Sequence, residues 1–269
     1  RGRPPRLVFA ATTARSGTGY LAALLGSVPG IDSVHERPPM LCGPWLHDLA
    51  ARGHVGTYEE RVVKADALGV LRDQLHGHMA LADINHLFLT IQYDVVLDAF
   101  DHTGITIVDL RRDPIDVALS MDRLGWFSAD NPGWQDWFLE PNRCTLAPGT
   151  TAAEPADPLD LILAHLADVL RRREDLRRAT PTVQWIDADL PDIARREGAR
   201  RLLRQIGFEP PSIRWPPRTQ RRPANLRSAR KRSVGRATSR AYVSQRADRF
   251  LARAPDRSAV AALEAELRR

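Results

Sequence analysis

Leu7-Val8-Phe9-Ala10-Ala11-Thr12-Thr13-Ala14-Arg15-Ser16-Gly17-Thr18-Gly19-Tyr20-Leu21 is the stretch that decides the fold. The unbroken apolar run Leu7 to Ala11 reads as a strand buried on both faces. The residues that follow are small, hydroxylated or glycine, with Arg15 as their one cation. From Thr18 the apolar positions Tyr20, Leu21, Leu24 and Leu25 take helical spacing and stop at Pro29-Gly30. A strand, a small-residue loop and a helix in that order make an anion site, because loop N–H groups and the positive end of the helix dipole converge there. Small residues let the backbone approach the anion, the hydroxyls of Ser16 and Thr18 add donors, and Arg15 adds a full charge. The loop is not that of ATP and GTP enzymes: Thr12 stands where their first Gly would be and Thr18 where their Lys would be. The dinucleotide fingerprint G-x-G-x-x-G is absent too.

Outward from this corner, strands alternate with helices. Further strands are expected at Ile31 to His35, Met79 to Ile84, Ile105 to Leu110 and Thr182 to Ile186. Helices are expected at about Tyr58 to Leu75, Pro114 to Leu124, Pro158 to Arg178 and Ala194 to Ile206. The alternation predicts an α/β three-layer sandwich: a central parallel sheet of about five strands, helices on both faces, and a P-loop-like topology. At 269 residues the chain suits one domain, 1–269. Two segments depart from the pattern. About 125–158 is rich in Pro, Gly and aromatics, with Trp126, Phe127, Trp134, Trp137 and Phe138 close together, and reads as an insertion: either a lid over an acceptor or a satellite core. About 212–247 contains eleven Arg or Lys and no acidic residue.

Composition narrows the function classes. Hydrophobic content of 43% and charged content of 27% are those of a globular protein. No stretch approaches the ~20 apolar residues of a membrane span, and a cytoplasmic location is expected. Cys42 and Cys144 are too few for a disulfide framework or a Cys-rich zinc site, and the histidines form no H-E-x-x-H or Cys/His set. No metal site is expected. The net charge of +6 suggests an anionic partner, but nearly all the basic charge is arginine, Lys64 and Lys231 being the only lysines. Aromatic residues are not interleaved with the basic run, so nucleic acid is not the expected partner.

Arg15-Ser16-Gly17-Thr18 after a first strand resembles the 5′-phosphosulfate loop of the sulfotransferases that use 3′-phosphoadenosine-5′-phosphosulfate (PAPS). Val108-Asp109-Leu110-Arg111-Arg112-Asp113-Pro114-Ile115-Asp116-Val117-Ala118-Leu119-Ser120 resembles the 3′-phosphate motif of that family: a strand leading to Arg, then a helix with Ser eight positions later. Arg230-Lys231-Arg232-Ser233-Val234-Gly235 is a looser match to its closing Arg-Lys-Gly loop. The resemblance implies PAPS as donor, held by Arg15, Ser16, Gly17, Thr18, Gly19, Tyr20, Arg112, Ser120, Arg230 and Lys231. It implies metal-independent, in-line transfer of a sulfuryl group to a hydroxyl, ahead of an amine. The acceptor would be a small molecule, glycan or natural product. Arg15 would stabilise the leaving oxygen. Two residues compete as base: Glu36, 21 positions after Arg15, and His86, after the third strand. Glu36 is favoured because the loop is of the Arg type found with a catalytic Glu. The competing classes are a related nucleotide phosphotransferase and a non-enzymatic polyanion binder.

Overall fold

The computed structural model describes residues 5–75, 80–129, 131–141, 157–208, 238–254 and 256–269. The strands are β1 (Arg6–Ala11), β2 (Ile31–His35), β3 (Ala80–Ile84), β4 (Ile105–Arg111) and β5 (Gln184–Asp189). They form one sheet in the order β2-β3-β1-β4-β5, and every neighbouring pair is parallel. The first helix, α1 (Thr18–Gly26), follows β1; α2 (Pro44–Gly56), α3 (Tyr58–Arg61) and α4 (Val63–Gln74) follow β2; α5 (Tyr93–Ala99) follows β3; α6 (Pro114–Asp122) and α7 (Pro158–Ala179) follow β4. After β5 come α8 (Leu190–Ile193), α9 (Arg196–Ile206), α10 (Arg240–Arg253) and α11 (Arg257–Leu267).

The continuous apolar run of β1 is explained by burial on both faces. Val8 and Ala10 pack with Leu21, Leu24 and Leu25 of α1 and with Leu202, Leu203 and Ile206 of α9. Leu7, Phe9 and Ala11 point the other way, onto Leu68 of α4, Val96 of α5 and Val169 and Leu176 of α7. These are the three layers of the expected α/β sandwich.

Two expectations need correction. The fifth strand runs to Asp189 rather than Ile186, because it stays paired with β4 from Thr106↔Gln184 to Arg111↔Asp189. The expected helix 58–75 is divided into α3 and α4. Within the Arg-rich segment, Arg240 opens α10, which is capped by the Ser239 side chain and places Val243 and Ala247 in the core. Helices α2, α5 and α11 had no sequence expectation. In the described part of 125–158, Phe127, Trp134 and Phe138 are buried in one cluster with α6, α7, α10 and α11, while Trp126 and Trp137 are partly buried against it. Met79, Arg230 and Lys231 lie outside the described residues. No helix among the described residues is long and apolar enough to cross a membrane.

Candidate active site

The sheet order places the site. From β1 the chain leaves toward β2 on one side, and from β4 it leaves toward β5 on the other. The carboxyl ends of these two adjacent strands therefore flank a crevice, where open α/β sheets bind ligands. The loop 12–17 leaves β1 on one side of it, and Arg111-Arg112 ends β4 on the other.

Within the loop, Thr12 donates to the Leu110 carbonyl at 2.7 Å, tying it to β4, and the hydroxyls of Thr13 and Ser16 lie 2.6 Å apart. Ser16 is buried, its hydroxyl engaged with that of Thr13. The N-cap of α1 is Gly17, with φ +102°. That φ strains any residue with a side chain, and a Cβ there would also lie 2.6 Å from Cδ1 of Leu190, which would have to shift. Gly17→Ala is expected to cost about 1–3 kcal/mol of stability, read by denaturant unfolding, and to weaken anion binding. By contrast, a Cβ on Gly19 would meet nothing within 4 Å. The Tyr20 hydroxyl donates to the Ile193 carbonyl at 3.0 Å and so ties α1 to α8.

Arg15 has φ +67°, and its Nε donates to Oγ of Ser120 at 3.0 Å, with its guanidinium 5.9 Å from the ring centroid of Trp126. Arg112 donates to the Arg15 carbonyl at 2.8 Å. Arg15, Arg112 and Ser120, which sequence reading placed in two separate motifs, thus meet around one cleft of about 330 Å³, whose wall also includes Asp116 and Arg123. Burial and the charge of Arg112 push the Arg15 guanidinium below its ordinary range. Arg123 had no sequence expectation, although it lies one helical turn beyond Ser120.

The carboxylates nearby are already engaged. Asp113 caps α6 through the Ile115 N–H and pairs with Arg240 at 2.6 Å, and Asp116 also pairs with Arg240. Arg111 is drawn away from the cleft by the buried Asp109 at 2.5 Å and by Asp187 at 2.7 Å. Arg173 adds to that network, lying 3.3 Å from Asp109 and 2.7 Å from Glu266. Among the described residues, Arg15, Arg112 and Arg123 pair with no carboxylate. Three cations thus line one cleft with no ion pair to a described carboxylate.

The two candidate bases meet at the neighbouring strand ends. Because β2 and β3 pair with His35 opposite Ile84, the residues just beyond them are adjacent, and the Glu36 N–H donates to the Ile84 carbonyl at 3.2 Å. Oε1 of Glu36 lies 3.3 Å from Nδ1 of His86 and 3.6 Å from Nε2 of His35. His35, which sequence reading treated only as a strand end, hydrogen-bonds through Nε2 to the Thr18 hydroxyl at 2.8 Å. A chain of contacts thus runs Thr18, His35, Glu36, His86. Burial alone would push the Glu36 carboxyl up, but the hydrogen bond from His86 and the positive character of His35 and His86 outweigh it, and the net shift is downward. Burial holds His35 below the usual histidine range against the pull of Glu36. Nε2 of His86 is buried with no partner among the described residues. The ring lies 5.5 Å from Phe138 and 6.1 Å from Trp137. A second histidine, His165, sits 5.1 Å from Phe138, pushed by burial to about 4, and is a neutral core residue.

No protein-family model matches the sequence, and no curated protein matches it. Among solved structures, the chain is similar to the sulfotransferase domain of the Synechococcus PCC 7002 olefin synthase, with 18% identity, a TM-score of 0.53, and coverage of 93% of this chain and 96% of that one. A sulfotransferase from Alicyclobacillus acidocaldarius aligns over 100% of this chain and 97% of its own, at 19% identity and a TM-score of 0.48. The all-parallel five-stranded sheet and the likeness to the first of these structures show that the chain shares the fold of that sulfotransferase domain.

Proposed function

We propose that this protein is a PAPS-dependent sulfotransferase that moves a sulfuryl group to an acceptor hydroxyl without a metal ion. The observation that carries this reading is the cleft between β1 and β4, where Arg15, Arg112 and Arg123 stand without carboxylate partners among the described residues, beside a helix start that opens on Gly17. Anion recognition needs this arrangement, since each such cation forms a charge-assisted pair at its full value only when nothing in the protein already compensates it. In the proposed complex the loop 15–19 holds the 5′-phosphosulfate, and Arg112, Ser120 and Arg123 hold the 3′-phosphate. PAPS supplies an activated sulfuryl group with a phosphate leaving group. Arg15 lies where charge on that leaving oxygen would be stabilised.

Glu36 and His86 then act as one acid–base unit rather than as alternatives. The ionised Glu36 carboxylate accepts from Nδ1 of His86, which fixes the ring tautomer and leaves Nε2 free to take the acceptor proton; Glu36 offsets the charge that results. The aromatic side chains Trp137 and Phe138 border that nitrogen and favour an apolar or aromatic body on the acceptor. A phosphotransferase would need a strand-end carboxylate for Mg²⁺. Asp109, near the end of β4 beside the loop, is instead buried among arginines.

The test is a thermal-stabilisation screen. At a hundred times its Kd, adenosine 3′,5′-bisphosphate is expected to add about 2.7 kcal/mol, or roughly 5–10 °C in Tm, in EDTA. ATP, GTP and NAD at the same concentration should do much less. A largest shift from ATP or GTP would return the site to the phosphotransferase reading.

A further inference from the structure

The chain places two fully buried, opposite charges directly behind the Glu36–His86 contact. Lys64 of α4 and Asp83 of β3 have no exposed side-chain surface, and Nζ lies 2.5 Å from Oδ2. Burying such a pair costs more in lost hydration than an apolar pair of similar size would, so its position asks for a reason. Both members also grip the backbone of a single residue, Arg37. The Lys64 ammonium donates to the Arg37 carbonyl at 2.6 Å, and Oδ1 of Asp83 accepts from the Arg37 N–H at 3.1 Å. Arg37 follows Glu36, whose φ of +57° is a conformation that costs a non-glycine residue energy and persists only when its surroundings impose it. Asp83 also lies three residues before His86 on the same strand end, so the pair is fixed to both halves of the acid–base unit. The residue choice is specific as well. In a chain of 39 basic residues only Lys64 and Lys231 are lysines. A compact ammonium can reach a carbonyl and a carboxylate at one point, which a planar guanidinium does not do in the same space.

We infer that Lys64 and Asp83 are positioning residues: their buried ion pair clamps the Arg37 backbone and thereby holds the Glu36 carboxylate against Nδ1 of His86. The inference rests on the reading of Glu36 and His86 as an acid–base unit. The charged groups facing Glu36 are His35 from β2 and His86 beyond β3, and those facing Lys64 are Asp83 and Arg37.

The experiment uses the full chain and needs neither donor nor acceptor. The double variant Lys64→Met/Asp83→Asn removes both charges, keeps an acceptor for the Arg37 N–H, and releases the Arg37 carbonyl. Side-chain ¹⁵N spectra of His86 and a carboxyl ¹³C titration of Glu36 are recorded for wild type and variant. Wild type should show one His86 tautomer, protonated at Nδ1. The variant should show a mixture, with the Glu36 midpoint raised toward the ordinary carboxylate range. An unchanged tautomer and midpoint in the folded variant would overturn the inference. Should the double variant not fold, Lys64→Leu/Asp83→Asn, which likewise leaves no buried charge unpaired, is read by the same spectra with the same two outcomes. Adenosine 3′,5′-bisphosphate affinity should stay within about twofold of wild type, since the pair touches none of the cleft arginines. If wild type itself fails to bind that nucleotide, the sulfotransferase reading fails while the spectra still decide the clamp.

Discussion

Glu36→Gln and His86→Asn each lower turnover by roughly 10²-fold or more, as expected for loss of a positioned general base, while binding of adenosine 3′,5′-bisphosphate persists. The contact between the two side chains at 3.3 Å makes the combination informative. If they work as a unit, Glu36→Gln/His86→Asn costs little more than the worse single change, because the second substitution removes a partner that has already lost its role. Multiplicative losses would show two independent functions. The pH dependence carries a sign as well. Glu36 is held below the ordinary carboxylate range, so it is ionised throughout the neutral region and its charge faces Nδ1 of His86 there. That support is lost only as pH falls through its depressed value, and the acid limb of kcat belongs to the coupled pair rather than to either residue. Steady-state release of adenosine 3′,5′-bisphosphate from PAPS in the presence of an acceptor measures all of this.

Arg112→Ala is expected to weaken adenosine 3′,5′-bisphosphate by roughly 10- to 100-fold, the value of a charge-assisted hydrogen bond of about 1.5–3 kcal/mol. It should leave 5′-AMP nearly unaffected. Arg112 is available for this role because the carboxylates nearest to it in sequence are taken, Asp113 and Asp116 by Arg240 and Asp109 by Arg111 and Arg173. Arg112→Lys should recover part of the loss, since it restores the charge without the planar fork. Isothermal calorimetry with the two nucleotides separates the outcomes, and an equal loss for both would move Arg112 to the 5′ side of the site. The arginine also holds the Arg15 carbonyl at 2.8 Å, so a modest loss for AMP reports that second contact.

Much of this was legible in the sequence because period and loop chemistry are local. The run Leu7 to Ala11 could only be a doubly buried strand, and the turn of small residues after it, followed by helical spacing from Thr18, fixed the first strand–loop–helix unit. Helix α6 showed itself through Pro114 in the first turn behind Asp113, whose side chain caps it. Helix α5 and the turn before it did not, because Leu87, Phe88, Leu89, Ile91, Val95 and Val96 are all buried and leave no polar face to set a period. Helix α2 was hidden by the non-helical Gly53 within it. In the site, Arg15, Arg112 and Ser120 could be named from motif spacing, but their convergence on one cleft is a tertiary fact. That Glu36 and His86 touch follows from the pairing of β2 with β3, which no spacing reveals. His35, Arg123 and the Lys64–Asp83 pair have no motif at all; they act through what the sheet brings beside them.

Calorimetry on the wild-type chain in EDTA, comparing adenosine 3′,5′-bisphosphate with 5′-AMP, tests most directly whether the arginine cleft between β1 and β4 is a PAPS site. With two or more arginines on the extra phosphate, the bisphosphate should bind at least ~10²-fold more tightly than AMP, with no requirement for a divalent ion. Equal affinities, or binding that appears only when Mg²⁺ is added, would contradict it.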